Sequence, residues 1–188
     1  MELKQDKELE WKILSSEYLS RKPWFTARRD HVLLPNGQEI NDYYVLEYPN
    51  WINTIAITKD NKFVFVRQYR HALGVTAFEL CAGVCEKEDA SPLVSAQREL
   101  MEETGYGNGN WSQYMVESAN AGTNTNLVYT FLATDVEIVS AQHLEDTECL
   151  TVHLFTFEEV KELLLKNEIK QALFAAPLWK YVAENGGI

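Results

Sequence analysis

Basic residues are scarce in this sequence, and long apolar runs are absent. Only 17 Lys and Arg stand against 28 Asp and Glu, which gives a formal net charge of −11. Proteins that bind nucleic acid without sequence preference need clustered Lys and Arg, so this composition argues against a nucleic-acid partner. No apolar stretch approaches the ~20 residues of a membrane-spanning helix, and we expect no membrane partner. A phosphate-bearing small molecule is compatible with the acidic chain, because metal ions can neutralise both.

Cysteine is also rare, and the three copies, Cys81, Cys85 and Cys149, cannot all pair. No second Cys or His cluster completes a zinc site with Cys81 and Cys85. The first residues, MELKQDKELEWKIL, mix both charge signs and lack the apolar core of a signal peptide. Both observations predict a cytoplasmic protein whose thiols are reduced.

What the chain does contain is enough apolar sequence for one domain with a small appendage: 188 residues, of which 46% are hydrophobic. Two β-like runs, FTARRDHVLL and EINDYYVLEY, flank PNGQ, and Asn-Gly between extended runs is a strong hairpin signal. We therefore expect an N-terminal β-rich subdomain over residues 1–50 and a main domain over residues 51–188.

Strand patterns and helix patterns mix along the main domain. The predicted strands are NTIAIT, KFVFVRQY, TAFELCAG, YMVESA, LVYTFLATDV and CLTVHLF. Helical patterns cover residues 92–104, TFEEVKELLLKNEI and QALFAAPLWKYVAEN, and Pro177 should interrupt the last of these or mark a new first turn. The mixture predicts an α/β fold in which a sheet lies between helices.

The predicted helix over residues 92–104 has consistent start and stop signals. Ser91 is its expected N-cap, Pro92 takes the first helical position, and Gly105 follows the last. At about 100° per residue, one stripe of this helix can pack on a sheet. That stripe contains Leu93, Ala96, Leu100 and Thr104.

Three glutamates, Glu99, Glu102 and Glu103, fall together on another side of the same helix. Like charges at these spacings repel by roughly 0.2–0.5 kcal/mol for each pair, and only Arg98 is close enough in sequence to relieve them. Several oxygen ligands without enough basic partners suit a hard divalent cation. The cluster therefore predicts a Mg²⁺ site, with Mn²⁺ as the alternative ion.

The segment GVCEKEDASPLVSAQRELMEETGY, residues 83–106, resembles the signature of the Nudix hydrolases. In that signature a loop with Gly and Glu precedes Arg-Glu-aliphatic-any-Glu-Glu-any-Gly-aliphatic. The second half matches from Arg98 onward. In the first half the loop is one residue longer than the pattern, so that either Glu88 or Asp89 takes the place of the loop glutamate.

The stretch VRQYRHALGVTAFELCAGVCE is similar to the ADP-ribose pyrophosphatase branch of that family, with Cys81 where Pro is usual. The resemblance implies a Nudix-type α/β/α sandwich with a mixed β-sheet, plus a small N-terminal antiparallel β-sheet subdomain. In that branch the N-terminal strands exchange between two subunits, which implies a homodimer here.

The resemblance also implies which residues act. Glu99 and Glu103, one helical turn apart, are the first expected metal ligands, and Glu102 is the third. The main-chain carbonyl of Ala82 is a further oxygen donor. Arg98 is counted with the catalytic residues, and it either fixes the loop or helix through an ion pair or touches the substrate.

The reaction that the resemblance implies is attack of water on a phosphorus of a diphosphate. In the loop HLEDTECLTVH, Glu148 falls where related ADP-ribose hydrolases place a metal-linked glutamate, so it is the expected base. The family position of Arg70 favours a contact with phosphate, which Arg binds bidentately, and Glu79 is a second expected substrate contact. Trp24 could stack on a base, as could one of two tyrosines, Tyr43 or Tyr44.

We therefore expect Mg²⁺-dependent hydrolysis of a nucleoside diphosphate sugar, with ADP-ribose, giving AMP and ribose 5-phosphate, as the leading substrate. One alternative is hydrolysis of another nucleotide, such as a GDP-sugar, a dinucleotide polyphosphate or a coenzyme. Another is a non-catalytic Nudix-fold nucleotide sensor. Ala121 stands where the ADP-ribose branch often has Pro, which keeps other substrates open.

Overall fold

The computed structural model describes residues 6–186. These residues belong to two compact units, one with the residues up to Tyr48 and Asn120–Asn126, the other with Pro49–Ala119 and the residues from Leu127. The strands are β1 (Lys12–Lys22), β2 (Phe25–Leu33), β3 (Glu39–Glu47), β4 (Trp51–Thr58), β5 (Phe63–Arg70), β6 (Val75–Glu79), β7 (Cys81–Val84), β8 (Tyr106–Gly107), β9 (Asn110–Glu117), β10 (Val128–Ile138) and β11 (Leu150–Phe155). The helices are α1 (Pro92–Thr104), α2 (Phe157–Leu165) and α3 (Ala172–Asn185).

The first unit is built on a three-stranded antiparallel sheet in the order β1-β2-β3. Between β2 and β3, Gly37 has a φ of 83°, a left-handed conformation that glycine adopts without strain. The hairpin predicted around PNGQ is therefore confirmed. β1 lies at the edge of this sheet and is exposed along almost its whole length. Its neighbourhood carries exposed apolar side chains at Trp11, Ile13, Leu14, Tyr18, Leu19, Trp24 and Phe25.

The second unit contains an eight-stranded sheet whose main path is β11-β5-β4-β10-β8, with β6 on β5, β7 on β4 and β9 on β10. β4 and β10 run parallel and the other pairs run antiparallel. Along β4, Ile52 and Ala56 pack with α1, whereas Ile55 and Ile57 pack with α2 and α3. The sheet thus lies between α1 and the pair α2 and α3, which confirms the predicted α/β/α sandwich with a mixed sheet.

The prediction of one continuous strand over TAFELCAG is wrong. β6 pairs with β5 and β7 pairs with β4, and the chain changes its partner strand at Leu80, which is 1% exposed. The burial of Leu80 in the core holds the chain at this change of partner. As a result, β7 brings Ala82 and Gly83 alongside β4.

The prediction that Pro177 interrupts the last helix or starts a new one is also wrong, because α3 runs through it without a break. Proline has no N–H to bond the carbonyl four residues earlier, and here that carbonyl belongs to Leu173. The Asn53 side chain of β4 replaces the missing donor, with its Nδ2 3.2 Å from the Leu173 carbonyl oxygen. No helix among residues 6–186 is long and apolar enough to cross a membrane.

Candidate active site

The ends of α1 are those that the sequence predicted. The Ser91 hydroxyl accepts a hydrogen bond from the Val94 N–H at 3.4 Å, and Pro92 opens the helix. Gly105 follows the last helical residue with a φ of 75°, and its N–H donates to the Met101 carbonyl at 2.8 Å. These signals fix where the helix starts and stops, whereas its apolar stripe decides which face meets the sheet.

The three glutamates that are the predicted metal ligands differ in how deeply they are buried. Ala96 and Leu100 are fully buried against the sheet, as expected of the apolar stripe. Glu103 is buried with them and is 3% exposed, whereas the side chains of Glu99 and Glu102 are 13% and 40% exposed. The acidic face is therefore only partly solvated.

Arg98 binds the loop before α1 to the acidic face of the helix. Its guanidinium donates to Asp89 Oδ2 at 3.0 Å and to the Val84 carbonyl at 3.2 Å. It also donates to Glu99 Oε1 and Glu102 Oε2, each at 3.0 Å. This geometry favours the ion-pair reading of Arg98 over a direct contact with substrate.

Of the two candidates for the loop carboxylate, Asp89 is the one that meets Arg98. Its hydrogen bond from Arg98 holds the pKa of the Asp89 carboxyl below its ordinary value. Glu88, by contrast, is exposed. The extra residue in this loop therefore leaves the link between loop and helix in place.

The Glu99 carboxyl lies directly against the main chain of Gly83. A Cβ placed on Gly83 would come within 2.1 Å of Glu99 Cδ, so a larger residue at position 83 would displace this carboxyl from where it lies. Desolvation raises the pKa of Glu99 to about 7, although Arg98 acts in the opposite direction. The contact between Gly83 and Glu99 gives a physical reason for the glycine of the signature.

The Glu103 carboxyl accepts a hydrogen bond from the main-chain N–H of Ala82 at 3.2 Å. Desolvation, together with the nearby charges of Glu99 and Glu148, raises the pKa of Glu103 to about 8. Glu99, Glu103 and Glu148 therefore interact electrostatically although Glu148 belongs to a distant part of the sequence.

Glu148 lies in the loop between β10 and β11, where its carboxylate accepts a hydrogen bond from the Glu145 N–H at 3.0 Å. The same loop is attached to the end of α1 by two hydrogen bonds. Gln142 Nε2 donates to the Glu103 carbonyl at 2.7 Å, and the His143 N–H donates to the Glu102 carbonyl at 2.8 Å. The fold thus holds this acidic loop beside the glutamate helix.

Arg70 and Glu79, both expected to contact substrate, are bonded to each other. The guanidinium of Arg70 donates from Nε to Glu79 Oε1 at 2.9 Å and from Nη2 to Glu79 Oε2 at 2.5 Å. Glu79 is 2% exposed, whereas the side chain of Arg70 is 43% exposed. Arg70 can therefore meet an anion while Glu79 holds it in place.

A cleft of about 280 Å³ opens beside these groups, at β4, β7 and the start of α3. Gly83 lines it, so the cleft adjoins the main chain against which the Glu99 carboxyl lies. The lining residues are Trp51, Ile52, Asn53, Arg70, Ala82, Gly83, Val84, Val128, Gln171, Leu173 and Phe174.

Trp24 belongs to the first unit, in the turn between β1 and β2, and its side chain is 68% exposed. Of the alternative tyrosines, Tyr44 is exposed, whereas Tyr43 packs edge-on against Trp11 and donates to the Gly122 carbonyl at 2.5 Å. Stacking of Trp24 on a base stays a prediction.

Whether this site can hold a metal ion depends on the chemistry of its donor atoms. Within residues 6–186, no three His, Cys, Asp or Glu side chains are already arranged to hold an ion. The candidate donors, which are the carboxyls of Glu99 and Glu103 and the carbonyl of Ala82, are nonetheless all oxygens, and Glu99 and Glu103 resist ionisation where they stand. A hard divalent cation would compensate these charges, so the set fits one once the Glu99 carboxylate turns from Arg98.

Two features of the site carry no signal in the sequence. Asn53 lies in an apolar strand pattern, and its partner, the Leu173 carbonyl, is 120 residues away. Gln142 lies in a loop that the predicted base also occupies, but its contact with α1 depends on the fold. The Gly83 contact could have been found, because the signature's glycine stands at a fixed distance before its glutamates.

Comparison with known proteins shows the family to which the chain belongs. Residues 50–176 match the NUDIX domain, and residues 11–46 match the nucleoside diphosphate sugar hydrolase N-terminal domain. An ADP-ribose pyrophosphatase of Bacillus subtilis (strain 168) is 28% identical over 167 residues, which cover 88% of this chain and 89% of that protein. A GDP-mannose pyrophosphatase of Enterobacter sp. (strain 638) is 30% identical over 170 residues, with 85% of each covered.

A solved structure of an ADP compounds hydrolase superimposes on this fold with a TM-score of 0.81. The two share 19% sequence identity, over 95% of this chain and 97% of that one, so this likeness concerns the fold. The match to the NUDIX domain over residues 50–176 decides the family. The chain belongs to the NUDIX family, in its ADP-ribose pyrophosphatase-like branch, and is a pyrophosphohydrolase.

Proposed function

We propose that this protein hydrolyses the diphosphate bond of a nucleoside diphosphate sugar, with ADP-ribose, giving AMP and ribose 5-phosphate, as its substrate. The observation that carries the proposal is the position of Glu99 and Glu103 beside Gly83, at the edge of a cleft that Arg70 also lines. The names of the relatives and of the N-terminal domain that matches support the substrate class.

The proposed metal ligands are Glu99, Glu103 and Glu102, with the carbonyl of Ala82 as a fourth donor. Mg²⁺, or Mn²⁺ in its place, is the ion that we propose, because both prefer hard oxygen ligands. When bound, such an ion neutralises the diphosphate and lowers the pKa of coordinated water. Glu102 needs to leave Arg98 in order to take part, and its exposure leaves it free to turn.

In this proposal the remaining roles, which are substrate binding, proton removal and positioning, belong to side chains of the protein. Arg70 binds the diphosphate, and Glu79 fixes the direction of its guanidinium. Glu148 removes a proton from the attacking water, and its proximity to Glu103 supports that role. Arg98 positions the loop against α1, so that it contributes to catalysis through the carboxylates. Trp24 is proposed to stack on the base of the nucleotide.

A substrate panel tests the proposed function. With Mg²⁺ and then Mn²⁺, we expect the specificity constant for ADP-ribose to exceed those for a GDP-sugar, a dinucleotide polyphosphate and a coenzyme by at least about tenfold, which is about 1.4 kcal/mol of discrimination. Product analysis should give AMP and ribose 5-phosphate. Highest activity on a GDP-sugar would mean that a GDP-sugar, and not ADP-ribose, is the substrate. The name of the Enterobacter relative, a GDP-mannose pyrophosphatase, supports that alternative. Absence of turnover on the whole panel would instead favour a nucleotide sensor.

We further propose a homodimer formed through the N-terminal sheet. β1 is an edge strand of 11 residues with unpaired backbone groups on one side, and such strands are templates for pairing with another chain. Its exposed apolar side chains, including Ile13, Leu14 and Leu19, would be covered by a second copy.

The dimer can be tested by light scattering after gel filtration. We expect the wild type to have twice the mass of the chain and the double variant Ile13→Lys/Leu19→Lys to be monomeric, because both substitutions put charge in an apolar contact. Glu158→Lys on α2, which changes the net charge by the same amount away from β1, is the matched control and should remain dimeric. A monomeric wild type at micromolar concentration would rule the proposal out.

The remaining parts of the proposal concern partners and compartment. We propose a cytoplasmic enzyme that acts on a small molecule and has neither nucleic acid nor membrane as a partner. The free thiols of Cys81, Cys85 and Cys149 are in keeping with a reducing compartment. The net charge of −11 argues against binding to nucleic acid. The division into an N-terminal subdomain over residues 1–50 and a Nudix domain over residues 51–188 is proposed with it.

A further inference from the structure

The wall of the cleft contains a buried amide with one unused hydrogen-bonding atom. Asn53, on β4, lines the cleft and is 1% exposed. Its Nδ2 donates to the Leu173 carbonyl, but within residues 6–186 nothing donates to its Oδ1. An unsatisfied buried acceptor is costly, so in native proteins most such atoms have a protein, water or ligand partner.

The orientation of the Asn53 amide is decided by the helix beside it. Leu173 lacks its helical donor because Pro177 has no N–H, and the Leu173 carbonyl can therefore accept only from the nitrogen of the Asn53 amide. The oxygen is then the atom of the amide that is left without a partner among the described residues. An asparagine can also be assigned in the flipped orientation, but here the carbonyl acceptor excludes it.

Asn53 is also part of a polar row on the face of the sheet that meets α3. On β10, Thr130 is its register partner, and the Thr130 hydroxyl donates to Glu117 Oε1 at 3.2 Å. Glu117 Oε2 is buried and also has no donor among the described residues. Register partners lie on the same face of a sheet, and Glu117 is the partner of Val128, which lines the cleft. This face of the sheet therefore carries two unpaired buried acceptors, and of the two residues Asn53 is the one that lines the cleft.

The charged side chain that lines the cleft is a cation. Arg70 lines the cleft, and about two fifths of its side chain is exposed. A ligand that satisfies both kinds of group carries a phosphate, which suits Arg, and a hydroxyl close to it, which suits an unpaired amide oxygen. A sugar phosphate carries both groups within one sugar unit.

We propose that Asn53 is a specificity-determining residue whose Oδ1 accepts a hydrogen bond from a sugar hydroxyl of the substrate bound in the cleft. The inference deepens the proposed function and rests on it for the identity of the ligand. The hydroxyl can come from the nucleoside ribose or from the distal sugar, and the two sources are separated by the choice of ligand. Asn53 is not assigned a chemical step.

The test has to remove the Asn53 oxygen without leaving the Leu173 carbonyl unpaired. Pro177→Ala supplies the missing helical N–H, so that the carbonyl no longer needs Asn53. Asn53→Leu is therefore made in the Pro177→Ala protein and compared with Pro177→Ala alone. Thermal unfolding of the two proteins checks that both fold.

Binding is measured by calorimetry with α,β-methylene ADP-ribose, which cannot be hydrolysed at the bridge, in the presence of Mg²⁺. We expect Asn53→Leu to weaken its binding by about five- to tenfold, the effect of one neutral hydrogen bond. Two further ligands locate the hydroxyl: the same compound without its nucleoside 2′- and 3′-hydroxyls, and α,β-methylene ADP, which has no distal sugar. For the ligand that lacks the bound hydroxyl, Asn53→Leu should weaken binding by less than about twofold. For the other ligand, it should weaken binding by as much as it does for the parent compound.

An equal change for all three ligands, no change for any of them, or no binding by either protein would overturn the role of Asn53. Failure of the proposed function is a separate result. Absence of turnover of ADP-ribose by the wild type, together with an Asn53-dependent loss of binding, would remove the hydrolase and leave the sugar contact.

Discussion

Glu103→Gln is expected to lower kcat for ADP-ribose by at least about 10²-fold while the protein stays folded. Loss of a residue that only supports a metal ligand typically costs 10–100-fold, so that neutralising a proposed ligand should cost at least as much. Glutamine keeps the volume of Glu103 and can still accept the hydrogen bond from the Ala82 N–H. The substitution therefore removes a charge and little else.

The measurement is steady-state kinetics at saturating Mg²⁺, with the unfolding temperature recorded for each protein. Glu158→Gln on α2 is the matched control, because its side chain is 75% exposed and its partner is a surface lysine, Lys161. We expect the control to retain its activity within about twofold. A Glu103→Gln protein as active as the control would refute the assignment of Glu103 as a ligand.

Local features of the sequence were sufficient to predict α1 and the placement of its charged residues. The capping residues Ser91 and Gly105 act through backbone groups within four positions, so their signals do not depend on the rest of the fold. The two faces of the helix follow from its period alone. The three glutamates and Arg98 could therefore be placed together before any tertiary contact was known.

Features that depend on distant parts of the chain could not be predicted. The break at Leu80 occurs because two strands, β5 and β4, are available as partners at successive positions. Pro177 was expected to disturb its helix, and it does not, because Asn53 supplies a donor from 120 residues away. In both cases the local rule was sound, and a contact that no sequence pattern encodes changed the outcome.

The burial of the glutamates was the physical quantity missing from the sequence. Spacing predicted repulsion among Glu99, Glu102 and Glu103 of a few tenths of a kcal/mol for each pair, whereas the first cause of the raised pKa values of Glu99 and Glu103 is desolvation. Glu102, with no such burial, remains beside Arg98. The site is therefore set by the depth at which each carboxyl lies more than by the spacing of the charges.

The same burial leads to a second large effect, on stability in the absence of metal. In EDTA, we expect the free energy of unfolding to fall by several kcal/mol between about pH 5 and about pH 9, since one pKa unit corresponds to about 1.4 kcal/mol. The pKa values of Glu99 and Glu103 rise in the folded protein from the ordinary 4.5 to about 7 and about 8. Between these values the folded state binds more protons than the unfolded state, so stability decreases as pH rises. Below 4.5 both states are protonated and the full stability is present.

Glu103→Gln isolates the contribution of one carboxyl to this pH dependence. In EDTA the variant should lose less stability over the same range and should be more stable than the wild type near the upper end, because no charge has to be buried at residue 103. Glu117, whose pKa burial also raises, titrates in both proteins and cancels in the comparison. Saturating Mg²⁺ should flatten the wild-type profile, since a bound cation favours the charged carboxylates. Denaturant unfolding curves at a series of pH values measure all three profiles. Parallel profiles for the two proteins in EDTA would mean that Glu103 is not held at a raised pKa, and the argument for a cation among these carboxylates would lose its electrostatic basis.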